Sequence, residues 1–408
     1  MEFHLKYGSG EVAMDFPEGT DQLKHTEPEK SVDPDKFKRD IHSYLYSVNR
    51  RVKDVGIVVS DKTRLCQFPV FLPLITEAFL EYGLKKEDIT FYIAYGTHPV
   101  QTEEESLNSY GNIYREYRFV HHNSRDSEAL EHIGTTSRGT EVTVRREMLK
   151  HDLLVTFGAI LHHYFAGFGG GRKLLFPGLA GYNSILQNHR LFLNFRNRKP
   201  EEGCQSGHLD DNPLALDLEE IDRILPPRFE IHGILNSNRE VCEIHFGLHY
   251  GHFRDACDRY DRFFRSGEKK QYDLVVASAG GYPRDINYIQ GHKSIHNSAS
   301  FVKDGGTLVI FAECRDGIGN RDFMEIFRLG DREMIFREME KEYRNNAGTA
   351  LATLQKSQRI KIRFVTSLDQ DTCELMGMVK TSTEEALELV SGASGDVAVI
   401  ENASLLYK

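Results

Sequence analysis

The sequence predicts an α/β protein of two domains, each built on a mostly parallel sheet, facing each other across a cleft. Three observations predict it. The chain has 408 residues, more than one compact core organises. Apolar runs of strand length alternate with longer helix-like stretches, the pattern of a parallel sheet with crossover helices. That alternation lapses in a Gly-, Asp- and Asn-rich stretch at 201–213 and resumes near 268.

Taken in order, the first seventeen residues alternate as a strand or hairpin, and a polar, Pro-containing stretch follows to about Asp35. VGIVVS (55–60), ITFYIA (89–94) and LLVTF (153–157) read as buried strands, and Phe71–Tyr82 as a helix capped by Gly83. Ile231–Leu235 and Val241–His245 are further strand candidates. The second series comprises 274–278, 307–312, 360–366 and 397–400. The expected domains are therefore 1–267 and 268–403, divided in the polar stretch 262–272, with 404–408 returning to the first.

Composition narrows the function classes. Hydrophobic residues make up 40% and charged residues 27%, an ordinary globular balance. No apolar run approaches the length of a membrane span, and the N-terminus has no secretory pattern, so a cytoplasmic protein is expected. A net charge of −10 argues against a nucleic-acid partner. The six cysteines form no C-x-x-C pair and read as reduced thiols. Eighteen histidines point toward proton transfer or metal chemistry.

In the first domain each strand runs into polar residues. VGIVVS leads to Asp61, Lys62, Thr63 and Arg64; ITFYIA leads to Gly96-Thr97-His98-Pro99; LLVTF leads to His162-His163. Ligands in open α/β sheets bind beyond the carboxyl ends of strands. The densest stretch is 162–190, HHYFAGFGGGRKLLFPGLAGYNSILQNHR. Gly169, Gly170 and Gly171 allow tight bending and close approach to a ligand, and Arg172-Lys173 suit an anion such as a mononucleotide phosphate. The Walker pattern fails, since Arg172 stands where glycine is required and Leu174 where Ser or Thr is. Residues 184–189 read as a helix bearing His189.

On these residues the chain resembles the nickel-pincer-nucleotide-dependent lactate racemase family from end to end. The resemblance rests on SDKTR (60–64), GTHP (96–99), HHYFAGFGGGRK (162–173), LFPGLAGYNSILQNH (175–189), GGYPRDINYIQGHK (280–293) and RDGIG (315–319). It implies a racemase or epimerase of 2-hydroxy acids, an isomerase. Its cofactor would be a pyridinium-3,5-bisthiocarboxylic acid mononucleotide, linked covalently through Lys173 and carrying Ni(II) with His189 as protein ligand. His98 and His163 match the paired acid/base histidines. Asp61, Lys62, Thr63 and Arg64 match the cofactor-contacting stretch, with Arg64, Gln290 and Lys293 toward the substrate. Cofactor-synthesis proteins are the implied maturation partners. The implied chemistry takes a hydride from C2 and returns it on the other face, so a base is needed on each side of the hydroxyl. Of His162 and His163, an extended chain turns only one toward the site.

Two departures bear on the substrate. The family's lactate-specific members carry a tyrosine before the substrate glutamine, where this chain has Ile289, and a tryptophan in the second domain, whereas this chain has none. A larger or more polar acid than lactate is expected, a sugar acid or a malate-like one, with His292, His296, Asn297 and Arg284 near Lys293 to bind it. The alternatives are a non-catalytic cofactor carrier, which would not need both His98 and His163, and a dehydrogenase with a free nicotinamide, which the lack of G-x-G-x-x-G disfavours. No H-E-x-x-H supports a hydrolytic metalloenzyme.

Overall fold

The computed structural model describes residues 1–48, 51–320 and 322–408. By contact the chain divides into two compact units. The first comprises Glu27–Leu191 and Gly203–Arg262; the second comprises Met1–Thr26, Phe192–Glu202 and Phe263–Lys408.

The first unit holds a six-stranded sheet: β1 (Val55–Ser60), β2 (Ile89–Ala94), β3 (Arg118–His121), β4 (Leu153–Ala159), β5 (Arg228–Leu235) and β6 (Val241–Gly247). Its order is β6-β5-β4-β1-β2-β3, parallel except for β6, which runs antiparallel to β5. Every residue of β1 and β4 is buried, as strands covered on both faces require. On one face lie α1 (Pro34–Ser47) and α2 (Phe68–Tyr82). Phe37 of α1 and Phe68 and Phe71 of α2 pack with Phe157 of β4. Helix α2 starts earlier than the hydrophobic run suggests because Pro69 suits a first helical turn, and it ends as expected at Gly83, whose φ is 109°. Two further helices carry functional residues: α3 (Tyr182–Arg190) and α4 (His249–Phe264).

The second unit centres on an all-parallel sheet built from β7 (Tyr272–Ser278), β8 (Val302–Phe311), β9 (Lys361–Val365) and β10 (Val397–Ile400). Short strands at Val379–Lys380 and Asp21–Gln22 complete its edges. Helices α5 (Tyr288–Ala299) and α6 (Ala347–Arg359) belong to it. The N-terminal residues form the expected hairpin, Glu2–Tyr7 against Gly10–Asp15. Its Leu5 and Met14 enter the core of this second sheet with Val276, Val309, Phe311 and Val399.

A single boundary at 267 therefore does not describe the packing: Met1–Thr26 and Phe192–Glu202 group with the second unit, and Leu5, Met14 and Phe16 join its core. The last residues stay there too: Tyr407 bridges to Arg265, and its N–H donates to the Phe264 carbonyl. All six cysteines are buried and unbridged. Among the described residues no helix is long and apolar enough to cross a membrane.

Candidate active site

The chain leaves β1 for β2 and β3 on one side, then returns to place β4 and β5 on the other. Strand order thus reverses between β1 and β4, where open α/β sheets leave a crevice. The segments after β1, β2 and β4 converge there. Asp61, next after β1, caps the turn Lys62–Arg64 by accepting from the Thr63 backbone N–H and hydroxyl at 2.9 and 2.6 Å. Its other oxygen lies 2.6 Å from His98 Nδ1. Burial alone would raise the Asp61 pKa, but His98, Arg64 and Thr63 hold it well below the carboxylate range. The carboxylate can therefore accept from His98 Nδ1–H and so orient the ring.

Beyond β4, Leu161–His163 pairs antiparallel with Gly167–Gly169. Alternation along this extended segment separates the two histidines. His162 Nε2 lies 2.8 Å from Asp261, its ring edge-on to Tyr260. His163 turns to Phe165, ring centroids 4.5 Å apart, and its Nδ1 accepts from the Ala166 N–H at 3.3 Å. That bond favours the tautomer with the proton on Nε2.

Phe165 gathers the other groups. Lys173 Nζ lies 5.6 Å from its ring centroid, and the His189 ring lies 5.2 Å from it. His189 sits in the last turn of α3. Burial first, then the charges of Lys173 and His98, push its pKa down to about 3. It is a neutral imidazole with a lone pair to offer at ordinary pH.

The glycine loop does something other than the sequence suggests. Gly170 and Gly171 have φ of 82° and 50°. A Cβ on Gly170 would meet the Ala159 carbonyl oxygen at 2.3 Å, and one on Gly171 would meet the Phe253 ring at 2.5 Å and His232 Cε1 at 3.1 Å. Their close approach is to the protein itself, wedging the Lys173 turn against β4, β5 and α4. At Gly169 a Cβ would make only ordinary contact. Arg172 is fully buried, with its guanidinium 4.8 and 5.0 Å from the ring centroids of Tyr250 and Phe253 on α4.

Lys62 is exposed and pairs with Glu105. In the second unit, Gln290 and Lys293 share one face of α5, and Lys293 Nζ donates to Gln290 Oε1 at 2.7 Å. Asn287 caps this helix through the Gln290 N–H. Asn297 is not placed to bind a substrate hydroxyl: it is buried, and its amide donates to the Ala403 carbonyl at 2.9 Å. His292 Nδ1 is turned onto the Ile289 carbonyl at 2.7 Å, and burial pushes its pKa down to about 3.

Residues 7–200 match the lactate racemase N-terminal domain and residues 267–403 the lactate racemase C-terminal domain. The chain belongs to the lactate racemase family. Two curated members of the family are lactate racemases. The one from Thermoanaerobacterium thermosaccharolyticum is 31% identical over 278 residues, covering 68% of this chain and 63% of its own. The one from Lactiplantibacillus plantarum is 29% identical over 281 residues, covering 68% and 64%. The chain thus spans just under two thirds of the length of either relative. The structure of the lactate racemase apoprotein from T. thermosaccharolyticum superposes with a TM-score of 0.88 at 25% identity, covering 100% of this chain and 99% of that one. A crystal structure of a Thermotoga maritima protein shares the fold, with a TM-score of 0.70 at 16% identity over 94% of this chain and 99% of its own.

Sequence reasoning missed Phe165 as the ring on which Lys173, His163 and His189 meet. It also took Asp61 for a cofactor contact and not for the partner of His98. The positions of both just beyond adjacent strands were the available signal.

Proposed function

We propose that the chain is a racemase or epimerase of 2-hydroxy acids, working with a nickel-pincer nucleotide held by Lys173 and His189. The observation that carries the reading is the grouping of an amine, a neutral imidazole and two acid/base histidines at the switch point of one sheet. These residues fit the group. Lys173 would supply the amine for a covalent link to the nucleotide, and His189 would offer an imidazole nitrogen to the nickel. When bound, the nucleotide supplies the hydride-accepting chemistry at C2.

The chain's own residues handle the proton. His98 Nε2, with its lone pair exposed by the Asp61 hydrogen bond, takes the hydroxyl proton of one enantiomer. His163, with Nδ1 engaged by Ala166, presents Nε2–H and returns a proton on the other side. The roles exchange for the opposite enantiomer. Arg64, Gln290 and Lys293 bind the substrate, their cations suited to its carboxylate and to the developing keto oxygen. Asp61, Thr63 and the 169–171 glycines position this machinery.

The preferred substrate is larger or more polar than lactate. Ile289 replaces aromatic bulk, and no tryptophan exists to fill the space. Each methylene left unburied forfeits about 0.8 kcal/mol. Arg284 and Lys293 favour a second carboxylate or added hydroxyls. The test is chiral product analysis with single enantiomers of lactate, malate, phenyllactate and gluconate on cofactor-loaded protein in heavy water. Inversion without deuterium at C2, with kcat/KM highest for malate or gluconate, is expected. Deuterium entering C2 contradicts hydride chemistry, and lactate as the best substrate contradicts the substrate reading alone.

A further inference from the structure

A second cluster of metal-ligating side chains lies on the same sheet, outside the machinery just described. Glu230 and His232 alternate on β5, so both point to the face covered by α4, and His252 comes down from that helix. Their ligand atoms all lie within 4.8 Å of one another. Glu230 and His232 are 1% and 0% exposed. The His232 and His252 rings are stacked, centroids 5.0 Å apart.

The donors are unspent. Among the described residues, neither ring nitrogen of His232 and not Nδ1 of His252 has a hydrogen-bond partner. His232 Nε2 stands 3.3 Å from Glu230 Oε2 without hydrogen-bond geometry. A fully buried imidazole with both nitrogens unsatisfied needs a reason, and a cation between these groups supplies one. The carboxylate is held in place: Arg228 Nε donates to Glu230 Oε1 at 2.9 Å, leaving Oε2 toward His232. A third imidazole, His245, stands opposite His232 in the strand pair.

We infer that Glu230, His232 and His252 bind one zinc ion, distinct from the nickel position at His189. Two imidazoles and a carboxylate with an open position are a zinc donor set, and Arg228 behind the carboxylate is the kind of outer partner that orients such a ligand. The site has a structural consequence. It ties β5 to α4 directly behind the Lys173 loop, where Gly171 already abuts His232 and Phe253.

The test uses the full chain produced without cofactor-building enzymes, so that zinc is read alone. Elemental analysis should find about one zinc per chain. The His252→Ala variant, checked for its fold by circular dichroism, should bind zinc about 100-fold more weakly or worse. His189→Ala should keep its zinc. Chelator-stripped wild-type protein should gain thermal stability on adding zinc, and the His252→Ala protein should not. The stripped wild type makes the test independent of any variant's folding. Neither bound zinc nor a zinc-dependent Tm in the wild type would overturn the assignment, as would zinc retained undiminished in His252→Ala.

Discussion

The first unit carries two sets of histidines on one sheet, and they differ in what surrounds them. His98, His163 and His189 sit on segments beyond the strand ends, where loops can aim side chains together. His232 sits within β5 and is fully buried, with Glu230 beside it and His252 above. In the first set a hydrogen bond orients the ring of His98 and of His163. In the second, among the described residues, both ring nitrogens of His232 and Nδ1 of His252 lack a hydrogen-bond partner. On the proposed reading, His98 and His163 of the first set transfer protons and His189 holds nickel, while His232 and His252 of the second set hold zinc.

Substitutions should separate the two. In loaded enzyme, His98→Ala or His163→Ala should lower turnover about 10²–10⁴-fold, with little change in a urea midpoint. Asp61→Asn should approach that loss, because it keeps the shape but releases the His98 tautomer. His232→Ala should act mainly on stability, by about 1–3 kcal/mol, measured by urea unfolding. Equal losses of stability in His98→Ala and His232→Ala would erase the distinction.

Gly170→Ala should cost about 1–3 kcal/mol, since it forces an L side chain to φ 82° against the Ala159 carbonyl. Urea unfolding would show it, and an unchanged midpoint would remove the packing role given to this loop. Acid should weaken the first unit. His122, His189 and His252 have pKa values pushed by burial from 6.5 to about 4, 3 and 4. Below 6.5 the unfolded chain binds protons that the fold does not, so stability present above that pH is lost as pH falls toward 3. Lowered Asp61 adds to the loss in the same direction. Unfolding midpoints between pH 7.5 and 4 should fall steadily. The smallest effect belongs to Lys62→Ala, which removes an exposed pair with Glu105 worth less than about 1 kcal/mol.

Much of the site is legible in the sequence because apolar strands end abruptly in polar residues. SDKTR, GTHP and the His162-His163 pair each follow a strand, and the sheet order brings them together. The placement of Met1–Thr26 is not legible, because a hairpin with one apolar face can cover either sheet. Asp61 and His98 are 37 positions apart, a spacing that carries no signal until β1 and β2 are known to be neighbours. By sequence alone, 231–235 reads as a plain buried strand. The strand in fact begins at Arg228, and Arg228, Glu230 and His232 on one buried face were the overlooked sign of a polar cluster.

Lys173 is the residue proposed to hold the cofactor at this switch point. The measurement that tests this assignment most directly is mass spectrometry of protein made alongside the cofactor-building enzymes, intact and after digestion. An adduct on the peptide containing Lys173, absent from Lys173→Ala and retained without nickel in His189→Ala, is the predicted result. An adduct that survives Lys173→Ala, or that maps to another residue, would contradict it.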